Sequence, residues 1–155
     1  MPNYIAPVED MLFLFEKLRD NKNYNELEKN LKSEAEKIKE NIIKPLAKSG
    51  DENPTVLENG VVRTPPGYKE AYSKYIEDGW TSLSCDPKYG GQGMPKTVSA
   101  FFDEMLSSAS LSFKLYSELS IGAYNCISHH ATEEIKDKYL PKMVEGKWSG
   151  TMCLT

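Results

Sequence analysis

The segment from about Ser110 to Ser128 constrains this chain most. It is apolar or small on nearly every side, and only Lys114 and Glu118 interrupt it. Its length falls short of the roughly 20 unbroken apolar residues that a membrane span needs. An all-round apolar helix of that length belongs in the middle of a helical bundle, so the rest of the chain has to supply the bundle.

It does. Before this segment, Val98, Phe101, Phe102, Met105 and Leu106 recur at helical spacing on one face. After it, Thr132 is placed to cap a helix with Glu133 and Glu134 in its first turn, ending near Gly146. Toward the amino terminus, a short helix is expected from about Pro7 to Leu18, with Val8, Met11, Leu12, Phe15 and Leu18 on one side. A longer one is expected from a cap at Asn23 to about Lys48. Its stripe is Tyr24, Leu27, Leu31, Ala35, Ile38, Ile42 and Leu46, with Pro45 kinking the last turn and Gly50 stopping it. Asp51–Pro66 reads as a connection with a small hairpin around Glu58-Asn59-Gly60. Pro65-Pro66 then leads into a helix sharing Tyr68, Tyr72, Tyr75 and Ile76, which Gly79 ends. The tail Trp148–Thr155 favours the start of a strand. The fold class is therefore all-α: a helical bundle that ends by entering a sheet it does not contain.

Net charge is −4, which gives no electrostatic footprint for nucleic acid or an anionic membrane. The apolar patch near the start follows Glu9 and Asp10 and lacks the basic lead of a secretory signal. Three scattered cysteines, Cys85, Cys126 and Cys153, fit reduced thiols and a cytoplasmic protein. Cys126 reads as a small buried hydrophobe.

Two motifs invite chemistry and fail. The run Lys88-Tyr89-Gly90-Gly91-Gln92-Gly93-Met94-Pro95-Lys96-Thr97 has Pro95 where a phosphate loop needs glycine before its Lys-Thr pair, and Lys96 breaks a dinucleotide fingerprint. The glycines instead suit a tight turn in an ordered loop from Trp80 to Pro95, anchored by Trp80, Leu83 and Tyr89. His129-His130 points two ways round a helix, so it suits a helix end rather than a metal. No metal site and no catalytic residue is expected in this chain.

A larger series is present in order. It comprises Trp80, then Asp86-Pro87-Lys88-Tyr89-Gly90-Gly91-Gln92-Gly93, then Glu104-Met105-Leu106, then Tyr139-Leu140-Pro141-Lys142-Met143 with Gly146. Gly150-Thr151-Met152-Cys153-Leu154-Thr155 closes it. The series resembles the amino-terminal half of the acyl-CoA dehydrogenase flavoproteins over most of the chain. Val62-Arg63-Thr64-Pro65-Pro66-Gly67-Tyr68-Lys69-Glu70-Ala71-Tyr72 resembles the branch that includes 3-methylmercaptopropionyl-CoA dehydrogenases.

The resemblance implies an amino-terminal helical domain over residues 1–147 and the truncated start of a middle β-domain over 148–155. It implies FAD, an acyl-CoA thioester oxidised between its α and β carbons, a catalytic glutamate in a later domain, and electron-transferring flavoprotein as the partner. Met152, Leu154 and Thr155 match the segment that lines the flavin, with Met152 standing where tyrosine is common. Leu115, Leu119 and Ile121 match a helix that walls the acyl pocket. The isolated chain is expected to be inactive, without retained FAD, and to form a homo-oligomer through surface that a β-domain would cover. Two rival expectations are a free-standing helical interaction module and an oxidase relative whose flavin is reoxidised by oxygen.

Overall fold

The computed structural model describes residues 7–18, 33, 36–37, 39–151 and 153. The expected cap Asn23 and the stripe from Tyr24 to Ile38 lie outside the described residues, as do Met152, Leu154 and Thr155. Among the described residues the elements are almost all helical. They are α1 (Val8–Leu18), α2 (Lys44–Glu52), α3 (Tyr68–Glu77), α4 (Lys96–Ala109), α5 (Leu111–His130) and α6 (Glu133–Val144). A two-stranded hairpin, β1 (Val56–Glu58) and β2 (Val61–Arg63), joins α2 to α3.

The hairpin forms where the sequence indicates. Asn59 and Gly60 both take positive φ, 51° and 78°, as a two-residue turn with the twist of its strands requires. Val56 pairs with Arg63 and Glu58 with Val61 in antiparallel register.

The entry to α2 carries a departure from simple periodicity. Lys39–Ile43 is a wider, π-helical turn, and Pro45 follows in the first turn of α2. Proline lacks the N–H that a regular helix would use there, and a π-turn absorbs the mismatch. The extra residue rotates the register: Ile43 becomes fully buried beside Leu46, while Ile42 is only partly buried. Gly50 does not stop the helix, which runs on to Glu52. A Cβ at Gly50 would lie 2.2 Å from the Tyr68 hydroxyl oxygen, so the glycine makes room for an incoming side chain.

Two clusters form the core. In the first, Ile43 and Leu46 meet Tyr75 from α3, Phe102, Met105 and Leu106 from α4, and Phe113 from α5. Trp80 stacks on Phe102 with ring centroids 4.4 Å apart and planes 9° apart. In the second, Cys85 and Tyr89 pack with Tyr124 from α5 and with Leu140, Met143 and Val144 from α6. Ser110 caps α5, its hydroxyl accepting from the Phe113 N–H at 3.4 Å. Thr132 occupies the cap position of α6, but its side chain makes no capping hydrogen bond. Gly79 and Gly146 follow α3 and α6 in the left-handed region, φ 79° and 69°. The described tail residues, 148–151 and 153, form no strand. A lone extended segment has no ladder partner there, and the Trp148 N–H instead reaches back to the Lys142 carbonyl.

Candidate functional site

Helix α5 is not wrapped by its neighbours. Phe113, Ser117 and Tyr124 are buried along one side. At 100° per residue, Leu111, Leu115, Leu119, Gly122 and Cys126 line up on the opposite side. All of them are exposed, Leu115 by 50% and Leu119 by 42%. The expectation of a helix in the middle of the bundle is therefore corrected: α4 and α6 cover one side of it, and the other side is an open apolar stripe. Cys126 is corrected with it. It is an exposed thiol on that stripe, and Cys85 is the buried one, its thiol pushed up to about 11 by burial.

The two charges that interrupt α5 lie along one edge of the stripe. Lys114 and Glu118 form an ion pair, with Lys114 largely buried. Asp103 on α4 is half-buried; burial raises its pKa, and the Lys114 charge partly offsets that. The ion pair lies within α5, and the leucines beside it stay uncovered.

The candidate acyl-pocket residues separate. Leu115 and Leu119 share the open stripe. Ile121 lies 200° round the helix from Leu119 and lines a small cavity of about 10 Å³ with Tyr75, Cys85, Ser117, Ser120 and Tyr124. That cavity has room for about one water. Leu111, Gly122 and Cys126 complete the stripe. Their spacing of four, four, three and four residues is a helical signal, but a helix apolar all round hides which side faces out.

Gly122 is informative. A Cβ there would meet nothing within 4 Å, and its φ is not in the left-handed region. Glycine in a helix interior costs about 1 kcal/mol relative to alanine, and no described neighbour accounts for that cost.

The tail is tied to the same helix. The Gly150 N–H donates to the Ser120 hydroxyl at 3.1 Å. A Cβ on Gly150 would come within 2.3 Å of the Ala123 Cβ, so glycine permits the close approach. The segment leading to Met152, Leu154 and Thr155 thus starts against α5, one residue beyond Leu119.

The glycine-rich loop is packed rather than poised. The Tyr124 hydroxyl accepts from the Asp86 N–H at 2.8 Å. Gln92, Gly93 and Met94 donate backbone hydrogen bonds to Ser82, Cys85 and Leu83. A Cβ on Gly91 would sit 2.1 Å from the Cys85 carbonyl oxygen. Lys88 reaches Glu133 on α6 at 2.8 Å. His129 behaves as a helix-end residue: its Nδ1–H donates to the Asn125 carbonyl at 2.8 Å. No helix among the described residues is long and apolar enough to cross a membrane.

Against known proteins, residues 25–147 match the family described as acyl-CoA dehydrogenase, N-terminal domain. The chain is 38% identical to 3-methylmercaptopropionyl-CoA dehydrogenase of Ruegeria pomeroyi, over 98% of its own length and 28% of that protein's. It is 36% identical to a butyryl-CoA dehydrogenase of Syntrophomonas wolfei, over 77% of its length and 20% of that protein's. It superposes at a TM-score of 0.63 and 18% identity on a chain of the electron transferring flavoprotein structure from Acidaminococcus fermentans, covering 96% of itself and 32% of that chain. That last likeness concerns the fold alone. The chain belongs to the acyl-CoA dehydrogenase family and carries its amino-terminal helical domain, and it spans less than a third of the length of these relatives.

Proposed function

We propose that this chain is the helical domain that closes one side of the acyl site in an FAD-dependent acyl-CoA dehydrogenase, with residues 1–147 forming the domain and 148–155 leading into the next. The observation that carries the reading is the open stripe of α5 with the tail fastened beside it at Ser120 and Ala123. An apolar wall beside the tail at Gly150 suits a thioester acyl chain. Leu115 and Leu119 face that chain, and Ile121 backs the helix from its buried side. FAD would supply the hydride acceptor, with Met152, Leu154 and Thr155 the residues of this chain that would contact it. Acyl-CoA is the substrate, an unbranched acyl group being what the relatives' names favour. Electron-transferring flavoprotein is the redox partner and the cytoplasm the compartment.

By the family resemblance, the catalytic glutamate and most flavin contacts belong to regions this chain does not span. A site assembled from several elements is not organised by a few terminal residues. The isolated chain is therefore inactive and self-associates through its uncovered apolar stripe. Mixing the purified chain with FAD and passing it through gel filtration tests both points. The expected product is colourless and elutes as a dimer or larger. A yellow fraction that bleaches on adding butyryl-CoA overturns the inactivity, and a sharp monomer at high concentration overturns the association.

A further inference from the structure

A second concave surface lies where the hairpin, the start of α3 and the start of α5 meet. It is an open cleft of about 640 Å³, within the range of small-molecule sites. Its floor is aromatic. Tyr116 meets Tyr72 edge-on, with centroids 4.8 Å apart and planes at 83°, and Phe113 lies against Tyr72 and Tyr68 at 6.3 and 6.2 Å. The Tyr68 and Ser112 hydroxyls share a hydrogen bond of 3.0 Å and give the floor a polar edge. Burial, then the neighbouring Tyr116, pushes the Tyr72 phenol up to about 12, so it remains a neutral hydroxyl.

The lining of the cleft carries a cation, and Glu70 beside it in the first turn of α3 is not part of that lining. Lys69 lines the cleft, and no carboxylate does. Nearby cations are engaged: Lys48 with Glu52, Arg63 with Glu58 and Lys74 with Asp78. Lys69 is exposed and has no ion-pair partner among the described residues. It stands in the first turn of α3, whose cap position holds Gly67 and so offers no side-chain acceptor. The positive end of the helix dipole adds to the lysine charge, while the Tyr68 N–H of that turn is held by the Pro65 carbonyl. Within the lining, Lys69 thus sets a positive charge at the edge of a group of aromatic rings.

From this we infer that the cleft binds a small aromatic carboxylate, its ring against Tyr116 and Tyr72 and its carboxylate at the Lys69 edge. Flat rings pack edge-to-face or offset on aromatic walls, and the cation with its adjoining hydroxyls selects an anion over a neutral isostere. The inference draws nothing from the acyl-CoA reading, and the leucine stripe of α5 is not part of the cleft.

Amide-resolved NMR titration of the whole chain with 2-naphthoate, and in parallel with the neutral 2-naphthalenemethanol, tests it. Saturable shifts centred on Val62, Lys69, Ser112 and Tyr116 are expected, with the neutral compound at least about tenfold weaker. Lys69→Glu should weaken naphthoate binding by at least about tenfold while keeping the dispersed spectrum of a folded chain. Tyr116→Ala, at an exposed position, is the second variant and should weaken both ligands. Shifts centred on Leu115, Leu119 and Cys126, equal affinity for the two compounds, unchanged binding by Lys69→Glu, or no saturation would overturn the proposal.

Discussion

The glycine-rich loop and helix α5 invert the usual relation between regularity and packing. The loop from Trp80 to Pro95 holds only two single helical turns, Trp80–Ser82 and Pro87–Tyr89. Yet Trp80, Leu83, Cys85 and Tyr89 are all buried. Helix α5 is regular from Leu111 to His130, yet it leaves its leucines uncovered on one side. Their glycines carry the same contrast: Gly91 is hemmed in by Cys85, and Gly122 faces open space. In the loop the absent side chain serves the fold. In the helix nothing within the described chain uses it, which is why the open side of α5, and not the glycine-rich loop, is the surface read as functional.

The largest expected effect is at Gly91. Gly91→Ala forces a Cβ into the Cys85 carbonyl and should cost about 3 kcal/mol or more in urea unfolding. A loss below about 1 kcal/mol would mean the loop yields easily, and the contrast would dissolve. Gly122→Ala should move the other way, stabilising the chain by about 0.5–1 kcal/mol, because it removes glycine entropy and meets no neighbour. If that variant is less stable, something within the chain occupies the space beside Gly122.

The smallest effect concerns the tie between loop and α6. Hydrogen bonds from Lys88, then from Lys136, hold the Glu133 carboxyl down at about 2, against an ordinary value of 4.5. A lowered folded-state pKa gives stability that is complete above 4.5 and fades as the pH falls toward 2. Glu133 is 66% exposed, so water screens the pair and the contribution is small. The urea midpoints of wild type and Glu133→Gln should differ by a constant amount between about pH 6 and 8 and converge below pH 4.5. A constant gap down to pH 2 would show that the pair does not titrate as described.

Much of the bundle was legible because its signals are local. The Asn59-Gly60 turn, the stops at Gly79 and Gly146, and the one-sided face of α4 each depend on a few neighbouring residues, and each appears in the structure. Gly50 looks like a helix stop in sequence, but its reason is distant: it makes room for Tyr68, which no local pattern reveals. The burial of Ile43 was shifted by the π-turn before Pro45, an inserted residue that regular spacing does not anticipate. Cys126 and the position of α5 share one cause. Hydrophobicity identifies sides that avoid water, and it does not say whether the cover comes from the same chain. Leu115 and Leu119 could thus be named together from a resemblance, while the separation of Ile121 from them required the rotation of the helix.

The central claim is that the Leu115–Leu119 side of α5 is a surface of this chain and not part of its core. Urea unfolding of the Leu115→Asp/Leu119→Asp double variant, compared with wild type at a dilution where both are monomeric, tests it directly. A folded chain that loses no more than about 1 kcal/mol is expected, the scale of helix propensity at exposed positions. A loss of several kcal/mol, as two buried leucines would give, would contradict it.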